Sequence, residues 1–582
     1  MKNLFSSMLS IFPSKDEVKK AILLFSKREY FIFLGLVVIL CISTLAILSK
    51  INKAFLVTIP AEGGILTEGI VGTPRFINPI LATSLADQDL TSLVYSGLMR
   101  KDSSSKLIPD LAVSYEVSKD GLSYTFTLRD NIYFHDGKRV TVDDVIFTIN
   151  ALRDPVVTNP KKNNWENVNI EKKDDKTILF TISRPYASFL ENTTLGIMPK
   201  HLWDRSPIEL NETNINAIGS GPYKVKNIDK QSNGLINFYE LESYKKYALG
   251  KPYIKNIILK FYANEEEMLS SLKNGEIQQA SSITPSNALK LKDEDYRIES
   301  LTLPRIFGLF FNQSQNQIFT DKKITKAIGL AINKDNIVQD VLKEYGIVID
   351  DPIPLNMLNY QKIKQSSSAS QEEKIAQAED ILKKDGWIKG EDGFLEKTKT
   401  EKKVKTVTKL EFAISTSNAP ELTRSATLIK EDLGKIGIKV EIKTFEIGNL
   451  NQSVIRPRKY DALLFGQIIN NESDLFAFWH SSQRKDPGLN VALYTNAKVD
   501  KILEDAFITT DENLRIKKYA EFENEIEKDI PAIFLYSPDF IYLISKNVKG
   551  FALDQIITPP DRFLNSYLWY IETDNVWKIF QK

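Results

Sequence analysis

Residues 109–144 read PDLAVSYEVSKDGLSYTFTLRDNIYFHDGKRVTVDD, and the patterning inside them translates directly into local structure. Tyr124, Phe126 and Leu128 alternate with polar residues, which predicts a strand with one face in a core. Ile132 and Phe134 repeat the alternation and predict the next strand, and Asp136-Gly137 supplies a tight turn after it. Thr141 to Asp144 (TVDD) predicts a helix start, with an acidic residue standing where a capping box carries Glu or Gln. Val142, Val145, Ile146 and Ile149 then form one apolar helical face. His135 and Asp136 fall at the hairpin tip without a third partner, so they are expected to be structural rather than an acid/base pair.

The same reading extends along the chain. Asp321 is placed to cap a helix that carries Ile324, Ala327, Ile328 and Ala331 on one face. Leu410, Phe412 and Ile414 alternate as a strand, and Leu422, Ala426, Ile429, Leu433 and Ile436 line a helix. Gly437 stops that helix, after which Ile438, Val440 and Ile442 return as a strand. Such a β-α-β unit implies a parallel or mixed sheet with helices packed on it. Two polar interruptions stand apart: Lys362–Lys374 predicts an exposed loop leading into a helix, and Glu396–Lys405 a solvated hairpin insertion. No repeat of fixed period is present, nor any G-x-x-x-x-G-K-[ST], G-x-G-x-x-G or G-x-S-x-G, so phosphate cradles and a nucleophile elbow find no support.

Composition narrows the classes. A chain of 582 residues allows three or four domains or lobes at roughly 150 residues each. Hydrophobic residues make up 42% and charged ones 26%, a globular balance. The 76 Lys and Arg nearly cancel the 75 Asp and Glu, so no basic excess exists to hold nucleic acid. One cysteine, Cys41, excludes an intrachain disulfide, and His135, His201 and His480 lie far apart in sequence with no metal-binding spacing. Neither a metal nor another cofactor is expected.

Tyr30–Ser49 carries no charge and is almost wholly apolar, long enough as a helix to cross about 30 Å of hydrocarbon. A cleavable signal peptide has a shorter apolar region that closes on an A-x-A-like site, so an uncleaved anchor is expected. Lys15, Lys19, Lys20, Lys27 and Arg28 precede the span, and only Lys50 and Lys53 follow closely. The positive-inside rule then puts residues 1–29 in the cytoplasm and everything beyond about residue 50 outside, as a single-pass protein of the cell membrane. Leu40 before Cys41 is not the small residue of a lipoprotein box, so lipidation is not expected.

Taken in order, several segments resemble the large solute-binding proteins of peptide and nickel ABC transporters, solute-binding protein family 5. They are Pro74–Leu98 (PRFINPILATSLADQDLTSLVYSGL), the Pro109–Asp144 stretch, and Gly219–Val225 (GSGPYKV). Phe307–Asn333, Ala378–Trp387 with Gly393, Tyr460-Asp461, Asn490, Tyr494, Asp500 and Ile530–Gly550 continue the likeness, which covers residues 65–570. The resemblance implies a two-lobed, periplasmic-binding-protein-like α/β fold (type II) with mixed sheets and an extra small domain, here behind one N-terminal transmembrane helix at 30–49 and a linker at 50–64. By that likeness lobe I takes 65–98, 195–305 and 538–575, the small domain 99–194, and lobe II 306–537. The chain would cross between lobes near Arg305–Asn312 and again near Phe534–Tyr542.

The resemblance also implies what the protein does: capture of an oligopeptide or other small solute in the interlobe cleft, hinge closure, and delivery to ABC transporter permease subunits. It implies a monomer and no enzyme. Ligand contacts are expected from Thr83, Ser84 and Leu85, from Asn312, from Gly466, Gln467, Ile468 and Asn470 on a lobe II strand end, and from Tyr536. The sequence departs from the peptide binders where they place an Asp for the ligand's α-amino group, since Asn470 carries no charge. Asp474 and Glu472 are the nearby acids, and His480, expected in a surface helix, is the nearby histidine. Two other classes stay open: a surface sensor or scaffold that keeps the fold without transport, and an anchored hydrolase, for which no motif pairs two carboxylates.

Overall fold

A computed structural model describes residues 15–580 except 158, 187, 205, 292–295, 355–356, 358–368 and 402–403. The chain forms two compact units, one of residues up to Ala61 together with those from Glu572, the other running from Glu62 to Ile571.

In the first unit Ser26 starts the helix Lys27–Phe55 through a reciprocal cap: Ser26 N–H donates to Glu29 Oε2 (2.8 Å) and Glu29 N–H to Ser26 Oγ (3.4 Å). No residue along this helix is buried, and it is long and apolar enough to cross a membrane. It runs without a break into the strand Leu56–Pro60, which pairs antiparallel with Thr573–Trp577. The stretch 50–64 therefore holds the helix's end and a strand. Trp577 Nε1 donates to Asn52 Oδ1 (2.7 Å), and its ring lies 6.4 Å from that of Phe55.

The second unit is organised on a mixed sheet of twelve strands. Its axis is the strand Ala532–Ser545, buried throughout except at Ser545 and the half-exposed Pro538 and Asp539, as a strand covered on both faces must be. Before that point the strand pairs with Arg305–Phe311 and Gly346–Val348; after it, with Gln279–Ser281 and Tyr296–Thr302. The apolar cores divide at the same place. One group runs from Leu66 to Leu303 and resumes at Phe540, while the other runs from Ile306 to Tyr536 and covers both faces of its part of the sheet. The change from one core to the other thus falls where the chain passes Leu303–Arg305 and Ser537–Asp539. Leu303 N–H donates to Pro538 O (3.0 Å), and Thr302 Oγ1 to Asp539 Oδ1 (2.8 Å).

Residues 109–144 supply two strands of a four-stranded antiparallel sheet with order 112–117, 123–128, 177–182, 168–172. Tyr124, Phe126 and Leu128 are the buried positions of strand 123–128, in one core with Trp165, Phe180 and Phe189. Ile132 and Phe134 are buried as expected, yet they form only a bridge, Tyr133 to Arg139, rather than a strand. The backbone is engaged elsewhere: Phe134 N–H donates to Lys138 O (2.8 Å) within the turn, and the next N–H, of His135, to Gly219 O (2.8 Å) far along the chain. Asp144 Oδ2 accepts from the Thr141 N–H (2.9 Å) and starts the helix Val142–Arg153.

His135 and Asp136 do have partners. His201 Nε2 lies 2.7 Å from Asp136 Oδ2, and His135 Nδ1 accepts from Gly219 N–H (3.3 Å) while its Nε2 faces Gly221 O (3.1 Å). The glycine of the GSGPY segment is required by approach: a Cβ on Gly219 would sit 2.1 Å from Val94 O.

The β-α-β unit forms as read, with parallel strands Glu411–Ser417 and Lys439–Phe445 joined by the helix Pro420–Lys435. Proline occupies the first helical position, and Gly437 takes φ +83° just past the end. Leu395–Glu401 and Val404–Lys409 make the hairpin expected at the basic run. Of the loop expected at Lys362–Lys374, residues 362–368 lie outside the described residues, and Ser370 caps the helix that begins at Gln371.

A fully buried ion cluster ties lobe I together. Arg562 donates from Nε to Glu68 Oε1 (2.8 Å) and from both terminal nitrogens to Asp89 (2.7 Å each). Tyr542 donates to Glu68 Oε2 (2.8 Å). Burial pushes both carboxyls upward in pKa, and the guanidinium opposes that shift.

Candidate ligand-binding site

At the junction of the lobes, strand register assembles a row of side chains. Phe307 stands opposite Gly466 on one neighbour and Tyr536 on the other. The Phe307 and Tyr536 rings stack at 5.0 Å and 15°. A Cβ on Gly466 would come within 2.7 Å of the Phe307 ring, so the missing side chain is what lets that ring lie across the strand. Tyr536 is buried, which raises its pKa to about 12, and its hydroxyl lies 3.4 Å from Ser425 Oγ.

Two residues towards the crossing, Arg305 stands opposite Ile468, on the face that carries Phe307 and Gly466. Ile468 is 45% exposed, whereas Gln467 faces the other way and is buried with its Oε1 unpartnered. The Arg305 Nε is likewise buried without an acceptor, and burial holds its pKa below the usual guanidinium value. Arg305 was not among the residues expected at the site. Its only sequence signal was its place at the start of the crossing strand.

The strand Ala462–Ile468 is paired on both edges only at its start. Strand 411–417 joins it at Ala462 and Leu463, while strand 305–311 follows it from Ala462 to Ile468. From Phe465 to Ile468 the outer edge takes no strand partner among the described residues, and so presents main-chain donors and acceptors.

The other expected contacts lie elsewhere. Thr83, Ser84 and Leu85 are exposed at the start of the helix Leu85–Val94, where Ser84 Oγ accepts from Asp87 N–H (3.1 Å). No hydrogen bond among the described residues joins them to 466–470. Asn312 is buried, its amide donating to Arg458 O (2.9 Å) and accepting from Ser314 and Gln315 N–H (3.1 Å each). Asn470 is exposed, and its N–H donates to Asp474 Oδ2 (2.8 Å). Glu472 is engaged by Arg515 (2.7 and 3.3 Å). His480 is not on a surface helix: it ends the helix Ser473–Trp479 buried, stacked on Phe476 at 4.2 Å, with Nδ1 2.8 Å from Ser482 Oγ. The cause is Phe476 one turn earlier, whose ring covers the imidazole.

A second contact joins the small sheet's neighbourhood to lobe II. The Tyr186 ring stacks on Phe507 (4.9 Å, 15°), its hydroxyl lies 3.2 Å from Ser473 Oγ, and Arg184 sits 5.4 Å over Phe507. Ser473 follows directly on the loop that leaves Asn470.

Comparison with known proteins decides the family. The model for bacterial extracellular solute-binding proteins, family 5 Middle, matches residues 106–487, more than half of the chain. The chain belongs to this family. As a family 5 solute-binding protein it is 29% identical over 503 residues to the oligopeptide-binding protein AppA of Bacillus subtilis, covering 84% of this chain and 89% of that one. It is 24% identical over 516 residues to the dipeptide-binding protein of Escherichia coli strain K12, with 83% and 91% covered. Among solved structures, AppA of B. subtilis in complex with a nonapeptide superposes with a TM-score of 0.67 at 28% identity, covering 88% of this chain and all of that one. NikZ of Campylobacter jejuni in complex with Ni(L-His) gives 0.69 at 28%, covering 87% and 99%. The two-lobed, mixed-sheet α/β architecture is that of these binding proteins.

Proposed function

We propose that this chain is a membrane-anchored, extracytoplasmic solute-binding protein of an ABC importer, which captures peptide-like ligands between its lobes and delivers them to a permease. The observation that carries the ligand class is the open edge of residues 465–468. An extended peptide pairs with such an edge through its main chain, the strand-addition mode that gives affinity without reading each side chain. Arg305 beside it offers a charge for a carboxylate, and Gln467 Oε1 an acceptor awaiting a donor. Phe307 and Ile468 supply apolar surface, as binding clefts generally require. Gly466, Gln467, Ile468 and Tyr536 remain in the proposed site. Thr83, Ser84, Leu85 and Asn470 stand as outer contacts from exposed loops, and Asn312 shapes the loop after strand 305–311.

The anchor rests on the unburied helix Lys27–Phe55 and on the basic residues before it, which orient it with the N-terminus in the cytoplasm. Ligand favours closure because only a closed cleft touches it from both lobes. Bending falls naturally at Leu303–Arg305 and Ser537–Asp539, where few torsions need change.

The full chain, purified in detergent, should release bound peptides on mass spectrometry and gain thermal stability from a peptide pool. Ligand at about 100 times its Kd stabilises by roughly 2.7 kcal/mol. Arg305→Met should raise the Kd of a captured peptide about tenfold and leave a C-terminally amidated version unaffected, since loss of a charge-assisted bond is worth about 1.5–3 kcal/mol. Absence of any bound species, and no shift with peptides, would sink import of peptides. It would favour the sensor or scaffold reading, which the uncharged Asn470 and the engagement of Glu472 by Arg515 already supply with a motive.

A further inference from the structure

The first compact unit carries a surface that the capture of solute does not use. Of the six tryptophans, Trp165, Trp203, Trp387, Trp479 and Trp569 are buried, and Trp577 is 46% exposed. It is followed by Lys578, Ile579 (76% exposed) and Phe580 (69% exposed), and Phe55 beside it is 56% exposed. These apolar groups would be a liability in water unless something covers them.

Their position along the helix indicates what does. Trp577 is hydrogen-bonded to Asn52, which lies 22 residues beyond Tyr30 on the same uninterrupted helix; at about 1.5 Å per residue the two aromatic levels are about 33 Å apart. That matches a hydrocarbon core of about 30 Å with an aromatic ring at each interface. Tyr30 is supplied by the helix itself. At the other level the helix has Phe55 but neither Trp nor Tyr, and the strand Thr573–Trp577 brings the indole there through its pairing with Leu56–Pro60. Lys50, Lys53 and Lys578 are exposed in the same unit, as side chains that reach up to headgroup phosphates are.

We infer that residues 577–580, with Phe55, form an interfacial foot that embeds in the outer headgroup region of the bilayer crossed by the helix. This rests on the anchored reading above. The strand pair clamps a segment 517 residues distant in sequence onto the helix end, Thr58 Oγ1 donating to Asn575 Oδ1 (3.0 Å). The chain therefore touches its membrane with both of its paired ends.

Trp577 is its own reporter. The full chain is reconstituted into phosphatidylcholine and phosphatidylglycerol vesicles whose acyl chains are brominated near the headgroup end, and flotation after an alkaline wash reads the helix independently. In the floated protein, brominated lipid should quench part of the tryptophan emission, and Trp577→Phe should abolish that part, because the five other indoles are buried. Phe580→Ser should shift the Trp577 contribution to longer wavelength. Equal quenching of wild type and Trp577→Phe in floated protein overturns the foot while leaving the anchor intact, and gives this face to a protein partner. Protein that does not float overturns both.

Discussion

Arg562→Met is expected to be among the most damaging single substitutions in this protein, destabilising it by about 3–5 kcal/mol. The guanidinium is inaccessible to solvent and, among the described residues, is the one cation paired with Glu68 and Asp89, themselves buried. Removing it leaves two carboxyls to be protonated or to repel each other in a dry site, and Tyr542 with one charged acceptor and no counter-charge. Urea unfolding of the full chain in detergent checks this as a drop in midpoint. Glu68→Gln with Asp89→Asn in the Arg562→Met background should recover much of the loss, since it is the orphaned charge and not the missing arginine that costs most. A loss below about 1 kcal/mol for Arg562→Met would mean that water reaches the cluster.

The second large effect is a dependence on pH. His135 is held neutral between Gly219 N–H and Gly221 O, and burial pushes its pKa down to about 4 from an ordinary 6.5. Above 6.5 neither folded nor unfolded chain binds the proton. Between 6.5 and about 4 the unfolded chain binds it and the folded one does not, so stability falls as pH falls through that window and the contribution levels off below it. The full span corresponds to about 3 kcal/mol for this one group. Asp110 works in the opposite sense: burial raises its pKa to about 6, so it favours the folded state more strongly as pH falls from 6 towards 4. The measurement is therefore a difference. His135→Asn keeps one donor and one acceptor, and wild type minus variant stability should decline between pH 6.5 and 4; a flat difference would mean that water already solvates the imidazole.

Local pattern carried much of the fold. Tyr124, Phe126 and Leu128, the Asp321 cap and the crossover at Leu410–Ile442 all depend on neighbours within a few turns, and all formed as read. What the pattern missed depended on distant chain. Ile132 and Phe134 alternate like a strand, but the His135 main chain finds Gly219 instead of a partner strand. The His201–Asp136 pair joins residues 65 positions apart. His480 is a different miss, since its cover is the Phe476 ring only one turn earlier. The proposed site shows the same split. Gly466 to Ile468 was legible as a strand end from family likeness, whereas Arg305 gains meaning only when register sets it opposite Ile468.

The buried core of lobe II draws on one uninterrupted stretch of chain, from Ile306 to Tyr536, whereas that of lobe I draws on residues before Leu303 and after Phe540. During synthesis the second lobe therefore has all its parts before the first one does. The N-terminal half of lobe I must wait, with Glu68 and Asp89 lacking their cation, until Arg562 arrives 494 and 473 residues later. The half of the binding protein that is made first is thus the half that closes last, and the segment around Arg562 acts as its timer.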